Sequence, residues 1–277
     1  MLAQVWRHPN NADRRARAVA GAVAWQASKR VLRRPRVVRL TDTLRIECHP
    51  TSASGSNVIY FGKLFDPVEM TFLRRYLRPG DGFIDGGANI GVYSLLAASS
   101  VGPTGAVLAF EPDATSRAWL ERNIELNGLS SVEVRSEALW DTAEVLRFRE
   151  DVDVSNRIEL DTSTGVEVST VRLDDVAAGG TWALGKLDLE GAELRALQGA
   201  TSMLAAANPP VWQVEVFEHL LRRVGSSRAA LLELLRDHRY DVVRCVDHEP
   251  VPDDFRGNAL AIARDRADEV HQRLQST

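Results

Sequence analysis

The sequence predicts an α/β protein whose core is a three-layer, doubly wound, mostly parallel sheet of seven strands, preceded by a small N-terminal extension. Two observations lead to this fold class. From residue 82 onward, short apolar segments alternate with amphipathic helical segments, the pattern of a parallel sheet with helices on both faces. The first strand is followed by a glycine turn, Gly86-Gly87-Ala88-Asn89-Ile90-Gly91, which leads into a helix. We expect residues 1–79 to form a basic helix and a small cover section, and residues 80–277 to form the ligand-binding domain.

Composition restricts the class of protein. The 277 residues, 44% of them hydrophobic, are enough to bury one large core or a core with a small appendage. No apolar run is long enough to span a bilayer, and the arginine-rich start lacks the apolar centre of a secretory signal. The two cysteines, Cys48 and Cys245, are far apart in the sequence, which favours a reducing compartment. We therefore expect a cytoplasmic protein.

The first forty residues form a basic segment. They contain ten lysines and arginines and one acid, Asp13, so this segment carries a charge of +9 and the rest of the chain −13. Residues 12–32 are predicted to be a helix that stops ahead of Pro35. Three interpretations remain open: a solvated helix packed on the domain, a peripheral contact with an anionic membrane, and an RNA-binding arm. The candidates for the face that packs on the domain or on an interface are Val19, Val23, Trp25 and Ala27.

The cover section continues to residue 79. Asp66 as N-cap, Pro67 at the first position and Glu69 at the third predict a helix that ends near residue 77. Tyr60 and the polar loop are candidate substrate contacts. The preceding elements are predicted as short strands at 37–40 and 44–48, a polar loop at 51–56 and an apolar strand at 58–61.

Two carboxylates surround the glycine turn. Glycine lets the backbone approach a ligand closely, and a helix N-terminus presents free N–H groups. Glu111 follows the second strand, 106–110, and lies twenty residues beyond Gly91, where a carboxylate binds the hydroxyls of an adenosine ribose. NAD and S-adenosylmethionine both carry that ribose. Asp85, at the end of the first strand, favours the second cofactor, because a carboxylate repels a pyrophosphate and attracts an amino group and a sulfonium.

The third strand, 132–135, ends in a turn that faces the same crevice. Ser136, Glu137 and Ala138 in that turn are candidates to line the adenine. Residues 141–181 then form an insertion of hairpin character, which is a candidate wall of the substrate pocket. Its alternating segments are 145–148, 157–160 and 166–171, with a turn-rich link at 161–165.

The fourth strand is interrupted by charge. Lys186, Asp188 and Glu190 occupy alternate positions of a segment that should be apolar if it is a central strand, and Glu193 begins the next helix. Buried charge is costly unless it is paired or used. The cluster is therefore either an ion pair of Lys186 with one of the two acids or a functional site at a strand end.

The fifth strand, 211–216, is predicted to end beside the fourth. It carries Glu215 and leads to His219, and both side chains are candidates to meet the cluster around Asp188. A helix at 228–237 and strands at 241–245 and 258–263 follow, and we expect the last strand to run in the reverse direction.

These residues carry a resemblance to a known family. Segment 83–94, Phe110-Glu111-Pro112 and 123–127 resemble class I S-adenosylmethionine-dependent methyltransferases. Leu173-Asp174-Asp175, segment 186–193 and Gly199-Ala200 resemble the FkbM-type family among them. This resemblance implies a Rossmann-like class I fold, S-adenosylmethionine as cofactor, and O-methylation of a hydroxyl on a sugar, glycolipid or polyketide-like metabolite.

The resemblance implies that Asp85, Gly87, Asn89, Gly91 and Glu111 hold the cofactor. Asp188 and the neighbours of these residues complete the predicted cofactor-binding set. That set is Asp85, Gly86, Gly87, Asn89, Gly91, Glu111, Pro112, Ser136, Glu137, Ala138 and Asp188.

Methyl transfer to an alcohol benefits from a general base, which is typically worth about 10²–10⁴-fold in rate. The candidates for this role are Asp188, Glu190 and His219. These three side chains and Glu215 would also suit Mg²⁺, but no ligand spacing requires it, so we predict no metal ligand. The basic segment keeps RNA as an alternative acceptor. Nucleic acid is the less favoured partner. Methyltransferases that act on nucleic-acid bases commonly have an Asn/Asp-Pro-Pro-aromatic run after the fourth strand, whereas this strand leads into Asp188-Leu189-Glu190-Gly191.

Overall fold

The computed structural model describes residues 1–62, 64–149, 157–158 and 166–275. Short 3₁₀ helices lie at Pro9–Arg14, Arg222–Val224 and Arg264–Arg266. The α-helices are α1 (Leu2–Arg7), α2 (Arg15–Val31), α3 (Ala53–Phe61), α4 (Pro67–Tyr76), α5 (Val92–Val101), α6 (Ala114–Asn127), α7 (Leu173–Val176), α8 (Glu193–Gln198), α9 (Thr201–Ala205), α10 (Glu218–Leu221), α11 (Arg228–Asp237) and α12 (Ala267–Gln275). The strands are β1 (Arg36–Arg39), β2 (Arg45–Cys48), β3 (Gly82–Gly86), β4 (Ala106–Phe110), β5 (Val132–Arg135), β6 (Ala138–Leu139), β7 (Val145–Arg149), β8 (Arg157–Ile158), β9 (Val166–Val171), β10 (Leu184–Leu187), β11 (Val211–Val216), β12 (Tyr240–Arg244) and β13 (Gly257–Ala263).

The main sheet confirms the predicted fold class. Within the described residues it has seven strands in the order β12-β13-β11-β10-β3-β4-β5. The pairs from β11 to β5 are parallel, and β13 is antiparallel to both of its neighbours, as expected for a reversed last strand. The chain builds outward from β3 through β4 and β5, then returns to β10 on the other side. The carboxyl ends of β3 and β10 therefore form a topological switch point, where open α/β sheets bind ligands.

The strands of the sheet are buried on both faces. In β3 every residue is buried, and alternate side chains belong to different hydrophobic clusters, Phe83 on one side and Ile84 on the other. Leu184 and Leu187 of β10 divide in the same way. This double burial explains why these strands are nearly continuous apolar runs. It also means that the charge of Lys186 in β10 must be compensated by nearby acidic groups.

Two asparagines of α6 tie the cover section to the main sheet. Asn123 accepts the Glu47 N–H through Oδ1 at 2.7 Å, and Asn127 accepts the Arg45 N–H at 2.8 Å. Trp25 belongs to the same hydrophobic cluster as Phe83. Residues 1–79 therefore pack directly on the sheet, and a domain boundary after residue 79 stays a prediction.

The strand predicted at 58–61 is wrong, because this run is the second half of helix α3. Ser52 caps the helix, accepting the Gly55 N–H through Oγ at 2.9 Å, and the polar loop predicted at 51–56 contributes its first turn. A short apolar run does not distinguish a strand from a buried helix. What decides here is packing, since the Trp25 indole of α2 donates to Ser56 Oγ at 3.2 Å.

The basic helix was predicted well in extent and only partly in orientation. Trp25 is buried as expected and Val19 packs at the edge of the core, whereas Val23 is 50% exposed and Ala27 is also exposed. Ala22 takes the buried position between them. No helix in the described part of the chain is both long and apolar enough to cross a membrane.

The insertion has the predicted hairpin character. Strand β7 pairs antiparallel with β9, with Val145 opposite Ser169, and antiparallel with β8. Strand β9 also runs parallel to β6. The predicted turn at 161–165 and the end of the 157–160 segment lie outside the described residues.

Two of the segments behind the family resemblance have structural roles. Asp174 in α7 accepts the N–H groups of Ser202 and Met203 at 3.0 and 3.1 Å, which satisfies the start of α9. Gly199 has no room for a side chain, since a Cβ there would lie 2.1 Å from the Trp140 carbonyl oxygen. These contacts hold α7, α8 and α9 beside β10.

Candidate active site

A cleft of about 420 Å³ opens at the carboxyl ends of β3, β4, β10 and β11, at the switch point of the sheet. This volume is typical of small-molecule sites. Its lining consists of Ala53, Ser54, Asn57, Phe65, Asp66, Gly87, Ala88, Asn89, Val92, Tyr93, Phe110, Glu111, Pro112, Glu137, Ala138, Leu139, Lys186, Asp188, Leu189, Glu190, Ala192, Glu215, Phe217 and Asn258.

The glycine turn brings β3 against the chain that follows β10. Gly87 has a φ of 77°, and a Cβ there would lie 2.0 Å from the Asp188 carbonyl oxygen. Gly91 has a φ of 91° at the N-cap of α5, and a Cβ there would lie 2.4 Å from Leu120 Cδ1. Both positions therefore require glycine.

The amides of this turn are partly engaged by the main chain. The N–H groups of Gly87 and Ala88 donate to the Phe110 carbonyl at 3.1 and 3.0 Å. They bind β3 to the end of β4, so at these two positions the predicted presentation of free N–H groups is wrong. The main role of these two residues is therefore to shape the cleft floor, since their N–H groups are not free to bind a ligand.

Glu111 lies at the end of β4, as predicted, and both of its oxygens hold backbone amides. Oε2 accepts the Asn89 N–H at 2.8 Å and Oε1 accepts the Asp113 N–H at 2.9 Å. Burial raises the pKa of Glu111 to about 7, although these two amides oppose the shift. A carboxylate has about four acceptor sites, so both oxygens can still accept hydroxyl groups of a ligand.

Asp85 lies beneath the turn and is not among the described residues that line the cleft. It is fully buried, and Oδ2 accepts a hydrogen bond from Ser94 Oγ at 2.5 Å. Its Oδ1 is buried without a partner among the described residues. Burial raises the pKa of Asp85, and the nearby charge of Lys186 opposes this effect. The Asp85 carboxyl group therefore lies behind the cleft floor, close enough to Lys186 for the two groups to interact electrostatically.

Lys186 connects the acidic groups of the site. Its Nζ lies 3.1 Å from Asp188 Oδ2 and 4.5 Å from the centroid of the Tyr93 ring. Burial alone would lower the pKa of Lys186, but the charges of Asp188 and Asp85 outweigh burial and raise it. The predicted Lys186–Asp188 ion pair is therefore present. The Asp188 side chain is still 41% exposed, so its second oxygen remains accessible from the cleft.

Asp66 and Tyr93 extend this network toward α4. Tyr93 Oη donates to Asp66 Oδ2 at 3.1 Å, and Asp66 makes no side-chain hydrogen bond to α4. Burial, reinforced by the charge of Glu69, raises the pKa of Asp66 to about 6. The residue predicted as a helix cap thus faces the cleft.

Two acids, Glu190 and Glu193, follow β10, and a third, Glu215, lies near the end of β11. Glu193 is buried and accepts the N–H groups of Leu189 and Gly191 through Oε1, at 2.7 and 3.3 Å, so it holds the loop after β10. Burial raises the pKa of Glu193 to about 7. Glu190, at a φ of 54°, and Glu215 line the cleft.

Among the described carboxyl groups that line this cleft, Glu215 has the most strongly raised pKa. Burial, together with the charges of Asp188, Glu193 and Glu190, raises its pKa to about 9. Its Oε2 is buried and has no hydrogen-bond partner among the described residues. Glu215 therefore holds a proton at neutral pH and has an unused polar atom beside the cleft.

His219 is not brought to the cleft. It lies on α10 with its ring 5.8 Å from that of Phe217, edge to face, and it is not among the described lining residues. The structure thus gives no support to the predicted role of His219 as a base. The predicted set divides accordingly. Gly87, Asn89, Glu111, Pro112, Glu137, Ala138, Asp188 and Glu190 line the cleft, whereas Asp85, Gly86, Gly91, Ser136 and His219 do not.

Several lining residues were missed from the sequence. Ser54 and Asn57 reach the cleft from α3, so part of the predicted polar loop does face it, whereas Tyr60 does not. Asn258 comes from β13, where it is paired with Glu215. The insertion 141–181 contributes no lining residue among those described. A cap signal at Ser52 would have revealed α3, but no local signal marks Asn258.

Metal binding was left as an alternative by the sequence. In the described parts of the chain, no three His, Cys, Asp or Glu side chains converge in a way that could hold a metal ion. Asp188 is paired with Lys186, and Glu193 accepts the backbone amides of Leu189 and Gly191.

Comparison with known proteins identifies the family. The family described as "Methyltransferase FkbM domain" matches residues 85–242, more than half of the chain. A search of curated proteins found no significant match.

Solved structures of methyltransferases are similar at low identity. FkbM methyltransferase from Methylobacillus flagellatus KT is 17% identical over 89% of this chain and 60% of its own, with a TM-score of 0.44. An S-adenosylmethionine-dependent O-methyltransferase from Thermotoga maritima is 15% identical over 71% of this chain and 65% of its own, with a TM-score of 0.41. An rRNA methylase from Streptococcus thermophilus is 12% identical over 70% of this chain and 92% of its own, with a TM-score of 0.43. The chain thus spans 60% and 65% of the length of the first two proteins.

The doubly wound sheet, the glycine turn and the carboxylate after β4 have the arrangement of the Rossmann-like class I methyltransferase fold. The chain belongs to the FkbM methyltransferase family, and its cofactor is S-adenosylmethionine. The cleft fits this cofactor. Gly87 lets the turn lie against the Asp188 carbonyl at the floor, Glu111 lies where ribose hydroxyls are bound, and Asp85 places a buried carboxyl oxygen without a described partner beneath the floor.

Proposed function

We propose that this enzyme transfers a methyl group from S-adenosylmethionine to a hydroxyl of an uncharged, polyhydroxylated acceptor, such as a sugar, the sugar headgroup of a glycolipid, or a polyketide-like metabolite. We propose a cytoplasmic location, because the two distant cysteines favour a reducing compartment. The observation that carries this proposal is the charge of the cleft lining.

Acids dominate the described lining. Lys186 is the one lysine or arginine among these residues, and it is already paired with Asp188. Like charges at close range repel, most strongly where water is excluded. An acceptor with phosphate or carboxylate groups near the reacting hydroxyl is therefore disfavoured, and this includes RNA. The acids of the lining are Asp66, Glu111, Glu137, Asp188, Glu190 and Glu215, of which Glu215 is protonated at neutral pH and adds no charge.

Asp188 is the proposed general base. Its Oδ2 accepts from Lys186, which fixes the orientation of the carboxylate and leaves Oδ1 for the acceptor. S-adenosylmethionine supplies an electrophilic methyl carbon bound to a sulfonium. Asp188 Oδ1 would orient the acceptor hydroxyl toward that carbon and take the hydroxyl proton as the carbon–oxygen bond forms and the carbon–sulfur bond breaks, which leaves the neutral thioether S-adenosylhomocysteine. Orientation of this kind can contribute about 7–11 kcal/mol to lowering a barrier.

Glu215 and Glu190 are proposed to hold the acceptor. Because the pKa of Glu215 is raised to about 9, this side chain can donate a hydrogen bond at neutral pH, and its Oε2 has no other described partner. Glu190 is placed at the same rim as an acceptor of hydroxyl groups. A donor and an acceptor on one rim suit a ligand rich in hydroxyls.

The cofactor is proposed to lie between β3 and β4. Glu111 binds the ribose hydroxyls, while Pro112, Ala138 and Leu139 provide apolar walls for the adenine. Gly87 and Asn89 form the floor, and Asp85 with Gly86 and Gly91 shapes it from beneath. Glu137 is held by Arg135 at 2.5 Å at the outer edge.

Methyl-labelled cofactor tests the proposal. The enzyme is incubated with the labelled cofactor and a host extract separated into neutral glycans and glycolipids, anionic metabolites, and RNA. We expect the label to appear in the first fraction as an O-methyl ether, and Asp188→Asn to abolish it. Label in RNA or on nitrogen would contradict the proposal.

A further inference from the structure

Helix α2 has an exposed apolar face. Its buried side, which includes Ala22 and Trp25, packs on the cover section. The opposite side repeats at intervals of three and four residues, so its members share one face of the helix. All of them are exposed: Ala16, Ala20, Val23, Ala24, Ala27 and Val31.

Helix α1 also exposes larger apolar side chains, next to Arg15 of α2. It packs beside α2, and its Leu2 and Trp6 are 43% and 48% exposed. The guanidinium of Arg15 stands 5.9 Å from the centroid of the Trp6 ring. An exposed Trp beside an arginine suits the boundary between water and lipid headgroups, where the ring is partly buried and the charge meets phosphate. We refer to the exposed side chains of α1 and α2 together as the N-terminal face.

Arginines surround the N-terminal face. By helical geometry, Arg17 and Arg30 lie on opposite sides of the apolar face of α2. The exposed arginines of this segment far outnumber its single acid, Asp13, so the segment presents a net positive charge to an external partner. These arginines are Arg7, Arg14, Arg15, Arg17, Arg30, Arg33, Arg34, Arg36 and Arg39.

We propose that the N-terminal face docks on an anionic phospholipid surface, with its apolar side chains at headgroup depth and its arginines on lipid phosphates. The segment carries +9 while the rest of the chain carries −13, so an anionic surface attracts the molecule in one orientation. A second copy is a poorer occupant, because a two-fold contact would bring two such positive segments together. RNA is also poorer, since the face between Arg17 and Arg30 offers alanine and valine, with no side-chain donors.

Helix α3 lies between the cleft and helix α2, which carries the docking surface. Trp25 Nε1 and Lys29 Nζ of α2 both donate to Ser56 Oγ at 3.2 Å. On another side of α3, Ser54 and Asn57 line the cleft. The N-terminal face is therefore one helix away from the acceptor wall. If the proposed function holds, this arrangement suits an acceptor hydroxyl carried by a lipid.

Sedimentation with vesicles tests the docking. The full chain is mixed with vesicles of phosphatidylcholine alone or of phosphatidylcholine with phosphatidylglycerol. We expect binding to the anionic vesicles only, weakened by added salt. The double variants Val23→Glu/Val31→Glu and Arg17→Gln/Arg30→Gln should each lower the partition coefficient at least about 10-fold. The matched control, Arg223→Gln/Arg236→Gln, removes two exposed arginines elsewhere and should bind like the parent.

Several results would overturn this inference: no binding by the parent chain, equal binding to neutral vesicles, or unchanged binding by either N-terminal variant. If light scattering shows that the parent chain is a dimer and that Val23→Glu/Val31→Glu is a monomer, the face is an interface with a second copy. RNA binding that survives in the valine variant and is lost in the arginine variant would assign it to nucleic acid. Cofactor affinity is measured in parallel by calorimetry. It should be unchanged in every variant, which separates a failure of docking from a failure of the proposed function.

Discussion

Lys186 Nζ lies 3.1 Å from Asp188 Oδ2, at the end of the strand next to β3. The lysine is buried while the Asp188 side chain is 41% exposed, so the pair joins the protein interior to the cleft. Desolvation of the lysine is offset by Asp188 and by Asp85 beneath the glycine turn. The same ion pair thus stabilises the sheet and orients the proposed base.

Removal of the base separates catalysis from cofactor binding. We expect Asp188→Asn to lower kcat by about 10²–10⁴-fold, because the amide cannot take the hydroxyl proton. Affinity for S-adenosylmethionine should change little, and calorimetry measures it. His219→Gln is the control, since this ring packs on Phe217 outside the cleft lining. Equal loss of kcat in both variants would contradict the assignment.

Removal of Lys186 should destabilise the fold. Lys186→Met leaves the buried Asp85 and its neighbour Asp188 without their counter-ion, and breaking a buried pair in this way typically costs about 3–5 kcal/mol. Urea denaturation measures the free energy of unfolding. The control Arg239→Gln breaks a pair with Asp265 whose side chains are 67% and 61% exposed, and should cost about 0–1 kcal/mol. Similar costs for the two variants would show that Lys186 is not needed to compensate buried charge.

Replacing Gly87 in the glycine turn should be more harmful than replacing Gly128 at the end of α6. Gly87 and Gly128 both have positive φ, but a Cβ meets the Asp188 carbonyl at 2.0 Å in the first case and nothing within 4 Å in the second. Gly128→Ala should therefore cost only the conformational strain, about 1–2 kcal/mol. Gly87→Ala should cost clearly more and should also weaken cofactor binding. Thermal unfolding and calorimetry provide the two readouts, and normal cofactor affinity in Gly87→Ala would argue against this floor.

Cofactor binding should depend on pH through Glu111. Burial raises its pKa to about 7, so the carboxyl group is largely protonated below that pH. Ribose hydroxyls donate to the ionised form, which means that affinity should rise with pH and level off above about 7. Below pH 7 it should fall by up to about 10-fold per pH unit.

Two variants isolate this effect. Glu111→Gln should bind the cofactor weakly and without this pH dependence. Glu193→Gln is the matched control, because burial also raises the pKa of Glu193 to about 7 but this carboxyl group holds the loop after β10 and does not line the cleft. If Glu193→Gln abolished the pH dependence and Glu111→Gln kept it, the ribose site would be misplaced.

Sequence reasoning recovered the sheet because its signals are local. The glycine turn, the apolar strands and the carboxylate at position 111 are each visible in a few consecutive residues, and the parallel pattern follows from their alternation. The same reasoning placed Asp188 and Glu190 at a strand end, where the cleft is found. The Lys186–Asp188 pair was also expected, since buried charge on a central strand needs a partner.

The errors arose where packing across the chain decides. The run at 58–61 belongs to a helix whose Val58 and Tyr60 lie in the same hydrophobic cluster as Trp25, more than thirty residues earlier in the chain. Asn258 reaches the cleft only because β13 pairs with β11. His219 was placed in the site by its distance along the chain from Glu215, whereas α10 carries it toward Phe217. Proximity in sequence does not determine the direction of a side chain after a strand ends.

The most direct measurement is a crystal structure of the enzyme with S-adenosylhomocysteine, the product form of the cofactor. We predict that the ligand lies in the cleft between β3 and β4, with its ribose hydroxyls bonded to Glu111 and its sulfur facing Asp188. An empty cleft at saturating ligand, or density at another surface, would contradict the assignment of this cleft as the site of methyl transfer.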